Sequence, residues 1–385
     1  MKNDFDFNTV VERRCSESVK WNAYPEDVLP MWVADMDFIS PEPVLQALQK
    51  RINHGVFGYP GKNHGLNEAI QTWLKRRFNW EVQEEEIIIL PGVVTGLNWA
   101  CHALAEPGGS VLVQTPVYPP FLSAPGNAGL ELLTTPILPE KDGQYAIDWD
   151  AFEAAASKNP QLFILCSPHN PVGRVFHPEE IIRMAEICMK HDILIVSDEI
   201  HADLIYTPHV HHPTASLSNE IGQSTITFMA PSKTFNIAGL ECSFSIIQNS
   251  TLRDRMQNGT KGLVGWVNCL GQVAAEAAYR EGEPWLQNIL AYLRRNRDDL
   301  VEFIRQSMPG ITMPMPEGTY LAWLDCRKTG LDDPYRFFLE NAKVALNDGR
   351  MFGPGGEGFV RLNFGCPHSM LMEGLHRMKN ALASR

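Results

Sequence analysis

Lys233 lies in Ala230-Pro-Ser-Lys-Thr-Phe-Asn-Ile-Ala-Gly-Leu240, directly after Ser224-Thr-Ile-Thr-Phe-Met229. The β-branched and aromatic run predicts a buried strand. A lysine just past a strand end can point into a cleft, where partial desolvation lowers its pKa. Such an amine is a nucleophile toward carbonyls. A lone loop lysine is ordinarily a solvated one, but other strand ends in this chain point the same way. Ile193-Leu-Ile-Val-Ser-Asp-Glu-Ile-His201 sets the Asp198 carboxylate at a strand end. Leu162-Phe-Ile-Leu-Cys166 leads into Ser167-Pro-His-Asn-Pro-Val-Gly173, whose prolines and glycine aim Asn170. Val111-Leu-Val-Gln114 leads into Thr115-Pro-Val-Tyr-Pro-Pro-Phe121. Tyr118 there is either a packed loop aromatic or a flat ring for stacking on a planar ligand.

An anion site is readable as well. Ile87–Leu90 predicts a strand, Pro91-Gly92 a turn, and Val94 to Leu104 a helix. The first amides of such a helix point outward and carry the positive end of its dipole. Neither G-x-G-x-x-G nor the P-loop pattern is present.

These residues need a scaffold. Four-residue apolar runs alternate with helical patterns such as Pro178–Lys190, which argues for an α/β fold with a mostly parallel sheet covered on both faces. Ligands of such sheets sit outside the carboxyl ends of the strands, where these groups stand. Helices are also predicted over Pro43–Arg51, with Ser40 as N-cap, and over Leu66–Phe78. Val56-Phe-Gly-Tyr-Pro60 reads as a turn-rich loop. Beyond Ile247 the pattern changes to the helices Leu270–Tyr279, Trp285–Arg305, Tyr335–Lys343 and Ser369–Ala383, with strands in Gly318–Asp325 and Phe359–Phe364. That mixture predicts a smaller α+β C-terminal domain. Residues 1–40 show no period; an arm laid across another surface is expected, and Leu29–Phe38 is apolar with two buried-looking aspartates.

Composition bounds the partners. The 385 residues are 44% hydrophobic with a net charge of -12, an ordinary globular composition that argues against nucleic acid or anionic membranes as main partners. No apolar run is long enough to span a bilayer. The polar start Met1-Lys-Asn-Asp is unlike a signal peptide. Eight scattered cysteines without a C-x-x-C pair indicate reduced thiols in a cytoplasmic protein, with no metal site.

An amine for an aldehyde, a buried carboxylate for a ring nitrogen, an amide cradle for a phosphate and a stacking ring together imply pyridoxal 5'-phosphate. The motifs then match a family. Met36-Asp-Phe38, His54–Tyr59, Cys166–Gly173, Ser197-Asp-Glu-Ile-His201, Ser232–Asn236, Thr319–Asp325 and Phe359–Pro367 occur in family order. The chain resembles fold-type I pyridoxal-phosphate enzymes of the aminotransferase class I/II superfamily, and within them the MalY/PatB group of cystathionine β-lyases and C–S lyases. The resemblance covers nearly the whole chain. It implies an N-terminal arm over 1–45 that joins the small domain, a large cofactor-binding domain over 46–282 and a small domain over 283–385.

The resemblance also implies roles. Lys233 would hold the cofactor as a Schiff base and act as general base. Asp198 would pair with the ring nitrogen, and Asn170 and His201 would face the ring's phenolic oxygen. Tyr118 would stack on the ring. Val93, Val94, Thr95 and Ser232 would bind the phosphate. Tyr59 would reach the phosphate of a neighbouring subunit in a homodimer. Arg361 would clamp the substrate carboxylate. Many aminotransferases of this fold carry a phosphate-binding arginine eight residues after the lysine; here Glu241 stands there, as the lyase group also lacks the arginine. The implied reaction is α,β-elimination of S-substituted cysteines such as cystathionine. Transamination on the same site, and a non-catalytic regulatory protein on a retained fold, are the alternatives.

Overall fold

The computed structural model describes residues 5–140, 143–259 and 262–385; the polar start at 1–4 lies outside them. After β1 (Leu29–Pro30) in the arm, eight strands build the central sheet. They are β2 (Ile87–Leu90), β3 (Ser110–Thr115), β4 (Glu131–Pro139), β5 (Tyr145–Ile147), β6 (Leu162–Cys166), β7 (Leu194–Asp198), β8 (Thr225–Met229) and β9 (Ser243–Ile246). Their order is β2-β9-β8-β7-β6-β3-β4-β5. The run from β4 to β8 is parallel. β9 enters antiparallel between β2 and β8, and β5 runs antiparallel at the far edge.

The unalternating apolar runs have a direct cause. Every residue of β6 and of β8 is buried, because helices cover both faces. Ile164 packs with Leu97 and Phe228 on one face, whereas Phe163 and Leu165 pack with Ile181 and Met184 on the other. The helix Val93–Leu104 lies close against β8 because residue 96 is glycine: a Cβ there would stand 2.6 Å from the Phe228 ring.

The C-terminal part holds the 25-residue helix Glu283–Ser307, then β10 (Leu321–Asp325), β11 (Val344–Ala345), β12 (Asn347–Asp348), β13 (Phe359–Asn363) and the helix His368–Ala383. β13 pairs antiparallel with both β10 and β12. The arm returns to this part of the chain, for β1 pairs parallel with β11.

Two local expectations are corrected, and two strands were not foreseen. The helix expected over Pro43–Arg51 runs Glu42–His54 with Pro41 at its cap, and Ser40 does not cap it; the Ser40 hydroxyl donates to the Asn236 carbonyl at 3.0 Å instead. The predicted helix Tyr335–Lys343 changes winding, α over Pro334–Phe337 and then π over Phe338–Ala342, which buries both Phe338 and Ala342. β4 and β5 escaped notice because they form a sheet edge of mixed exposure, without the apolar run of the central strands.

Candidate active site

The carboxyl ends of β2, β3, β6, β7 and β8, with the entry to antiparallel β9, open onto one cavity of about 280 Å³. Val93, Val94, Thr95, Tyr118, Asn170, Asp198, His201, Ser232 and Lys233 line it. Thus the structure gathers every site residue expected from the sequence except Arg361 and Tyr59.

Lys233 sits in the short helix Pro231–Thr234 that follows β8. Its Nζ donates to the Ala34 carbonyl at 2.6 Å, and the Tyr320 hydroxyl donates to the same oxygen at 3.0 Å. Burial lowers the amine to about 8; the Arg361 charge adds to this, while Asp35 and Asp198 oppose it. Asp198 closes β7 and accepts from the Ile200 amide at 3.1 Å. Burial raises its carboxyl to about 7, and Glu199 adds to the rise. His201 is pushed down to about 3 by burial, so it is neutral, and its Nδ1 has no hydrogen-bond partner.

Arg361 lies behind Asn170, on β13. Its Nη1 donates to Asn170 Oδ1 at 2.9 Å, and its Nη2 donates to Asn347 Oδ1 at 2.6 Å and to the Trp32 carbonyl at 3.1 Å. Nε is buried without a partner. Burial lowers this guanidinium to about 10, so it stays charged at neutral pH. The Asn170 carbonyl in turn accepts from the Tyr118 amide at 3.1 Å.

At the other end of the cavity, Gly92 adopts φ +102°, and a Cβ there would enter open space. Its amide donates to Ser243 Oγ at 2.9 Å. The first helical amide bond is Gly96 to the Gly92 carbonyl at 3.1 Å, which leaves the amides of Val93, Val94 and Thr95 without helical acceptors. The Thr95 hydroxyl is turned back to the Pro91 carbonyl at 3.2 Å. Glu241, with φ 47°, also lines the cavity. Tyr59 does not; it is 92% exposed and lies edge-on to Trp266.

Two participants carried no chemical signal in the sequence. Ala34 contributes only its carbonyl, which any residue has; the one clue was its place in the apolar stretch between two aspartates. Asn236 was part of the lysine motif without an assigned task. At φ 56° it accepts from the Met36 amide at 2.9 Å and donates to the carbonyls of Met36 at 2.9 Å and Phe38 at 2.7 Å, which docks the arm on the lysine loop.

Comparison with known proteins agrees with this geometry. The chain is 43% identical to cystathionine beta-lyase PatB of Bacillus subtilis, an alignment that covers 98% of this chain and 100% of the relative. It is 34% identical to protein MalY of Escherichia coli over 98% of this chain and 99% of that protein. The crystal structure of cystalysin from Treponema denticola, which contains a pyridoxal 5'-phosphate cofactor, superposes with a TM-score of 0.95 at 34% identity and 99% coverage of both chains. The model of the family "Aminotransferase class I and II" matches residues 26–378, and the chain belongs to that family.

Proposed function

We propose that the protein is a pyridoxal-phosphate-dependent carbon–sulfur β-lyase that cleaves S-substituted cysteines, L-cystathionine among them, to a thiol, pyruvate and ammonia. The observation that carries the reading is the convergence on one cavity of a buried amine at about 8, a buried carboxyl at about 7 and three helix-end amides without acceptors. These groups fit the cofactor: the amine suits its aldehyde, the carboxyl its ring nitrogen, and the amides with the open space at Gly92 suit its phosphate. The names of the relatives agree with this.

When bound, pyridoxal phosphate supplies an aldehyde for the substrate amine and a ring that accepts the electron pair left at Cα. The chain does the rest. Arg361 holds the substrate carboxylate, and its unpartnered Nε gives it a free donor for the purpose. Lys233 takes the proton from Cα. Asp198, whose charge burial alone disfavours, would be held ionised by the cationic ring nitrogen and would in turn keep the proton on it. Asn170 and the neutral His201 would hold the cofactor's phenolic oxygen, and the Tyr118 ring would pack against its ring. Val93, Val94, Thr95 and Ser232 hold the phosphate, Thr95 by its amide. The pair from the Cα–H bond forms the Cα=Cβ bond, the Cβ–S bond breaks, and the thiolate leaves. The 2-aminoacrylate released hydrolyses to pyruvate and ammonia.

The chain works as a homodimer. Tyr59 and Trp266 lie edge-on to each other outside the cavity and both are exposed, as a contact for a second copy would be, and Tyr59 would then reach the neighbour's phosphate. We divide the chain into an arm over 1–45, a large domain over 46–282 and a small domain over 283–385; the pairing of β1 with β11 supports an arm that joins the small domain. The eight cysteines are all unpaired, in keeping with a reducing cytoplasm, and among the described residues no helix is long and apolar enough to cross a membrane.

The deciding experiment is pyruvate release from L-cystathionine by the protein with pyridoxal phosphate and no keto acid. Equal amounts of pyruvate, ammonia and thiol are expected. Amino transfer that appears only with added 2-oxoglutarate, without pyruvate from cystathionine, would replace the lyase by an aminotransferase.

A further inference from the structure

The arm passes between the lysine and the arginine, and its backbone holds both. The Trp32 carbonyl accepts from Arg361 Nη2 at 3.1 Å, and two residues on the Ala34 carbonyl accepts from Lys233 Nζ at 2.6 Å. Residues 31–40 belong to no helix or strand; Asn236 holds their backbone at Met36 and Phe38, Asn363 Nδ2 donates to the Val33 and Asp35 carbonyls at 2.5 and 2.7 Å, and the Asp37 amide donates to the Gly365 carbonyl at 2.9 Å. Four charges add to these contacts, Asp35 and Asp37 on the segment and Arg13 and Lys20 beside it. Asp37, fully buried, accepts from Lys20 Nζ at 2.6 Å, Arg13 Nη1 at 2.6 Å and Trp21 Nε1 at 2.8 Å. Asp35 accepts from Arg13 Nη2 at 2.7 Å and lies 3.5 Å from Lys20 Nζ. Lys20 also donates to the Asp35 carbonyl at 3.1 Å, the next carbonyl after that of Ala34.

A cluster of this kind is poor glue. Apolar residues of similar volume often stabilise a fold as well as buried ions do, whereas ions add direction. Here that direction falls on Asp35 and Asp37 and on the Asp35 and Met36 carbonyls, in the same short run of backbone that carries the Ala34 and Trp32 carbonyls. The cluster also lies within electrostatic reach of the lysine: Asp35 on the arm acts on Lys233 together with Asp198 on β7 and Arg361 on β13, while His201 and Glu241 line the same cavity.

We propose that Arg13, Lys20, Asp35 and Asp37 form a positioning centre for the reaction: they fix the Ala34 and Trp32 carbonyls and so set the separation between the proton-removing amine and the clamp on the substrate carboxylate. The proposal rests on the lyase reading above, in which Lys233 is the base and Arg361 the clamp. None of the four touches substrate; they act through the arm.

The test uses the holoenzyme and two variants, Asp37→Asn and Arg13→Gln. Three quantities are read: kcat, the isotope effect on kcat with Cα-deuterated cystathionine, and the pH midpoint of the absorbance change of the lysine-bound cofactor. Misplacement of the base lowers kcat about ten-fold in both variants, and the isotope effect rises as proton removal becomes slower. The midpoints move in opposite directions. Arg13→Gln leaves Asp35 short of its cation and raises the midpoint by about half a unit; Asp37→Asn leaves excess positive charge and lowers it by a similar amount. Midpoints that stay put or move together, or a lower kcat with an unchanged isotope effect, would show a merely structural cluster and overturn the proposal. Asp37→Asn strands a buried lysine and can fail to fold. Arg13 is 22% exposed, so Arg13→Gln carries the test alone: its midpoint must rise and its isotope effect must grow. Lys233→Ala, measured beside them, separates the two ideas. Turnover in that variant removes the base assignment itself; no turnover, with Arg13→Gln indistinguishable from the unmodified enzyme, removes only the positioning centre.

Discussion

The side-chain oxygen of Asn170 accepts from Nη1 of Arg361 at 2.9 Å, and both residues are buried. The pair joins a loop of the large sheet to a strand of the small one. In the proposed mechanism one residue serves the cofactor ring and the other the substrate carboxylate, so a disturbance of either should be felt at both ligands.

Arg361→Lys is the direct probe of this pair. Lysine keeps the charge but lacks the fork that reaches Asn170, Asn347 and Trp32 together. Loss of a charge-assisted clamp of this kind costs about 2–3 kcal/mol, or roughly 30–150-fold in kcat/KM for cystathionine. Steady-state kinetics should show most of the loss in KM. A KM unchanged by the substitution would place the carboxylate elsewhere.

Lys233→Ala should abolish pyruvate formation and the visible absorbance of the lysine-bound cofactor together. Among the described residues no other lysine lines the cavity, so no second amine there is at hand to replace it. Retained colour with lost turnover would leave Lys233 as base only and require another attachment point.

Asp198 and Lys233 make opposite predictions for the cofactor-free protein. The folded carboxyl, at about 7, lies above its ordinary 3.8, so its charge penalty is absent below that value and grows as pH rises through 7. The folded amine, at about 8, lies below its ordinary 10.5, so its penalty is full below 8 and fades toward 10.5. Asp198→Asn should therefore raise the Tm at pH 7 more than at pH 4.5, and should weaken cofactor binding at the same time. Lys233→Met should raise it at pH 7 more than at pH 10. Melting curves across pH check both; a Tm difference that is flat with pH would refute the burial argument.

Asn236→Ala removes three hydrogen bonds between the lysine loop and the arm, at about 1 kcal/mol each. Alanine is also strained at φ 56°, which asparagine tolerates. Urea unfolding should show a loss of about 2–4 kcal/mol, and Asn236→Gly, free of the strain, should lose less.

The parts of the fold that were legible in the sequence are those whose residues must be one type. β6 and β8 are buried on both faces, so their apolar runs were unmistakable. Lys233, Asp198 and Asn170 stand at or just past strand ends, where the proposed chemistry needs their side chains and the residue types therefore stand out. The contributions of Ala34 and Trp32 come from the backbone, which every residue shares, and no composition could reveal them. The ion cluster was half visible: Leu29–Phe38 showed two aspartates in an apolar stretch, but their partners Arg13 and Lys20 lie in a segment without period. Ser40 illustrates the reverse error, since a hydroxyl before a helix is usually a cap and here it binds the lysine loop.

The pairing of β1 with β11 has a consequence for the timing of synthesis. Leu29 and Pro30 leave the ribosome early, but their partners Val344 and Ala345 are made more than three hundred residues later. At ordinary elongation rates the arm waits about 15–60 s for them. Asn236 can tie the arm to the lysine loop once both are made, but the strand that pairs with the arm and Arg361 follow later, so a chain truncated before residue 344 carries the lysine without either. Completion of the reaction centre is thereby tied to completion of the polypeptide.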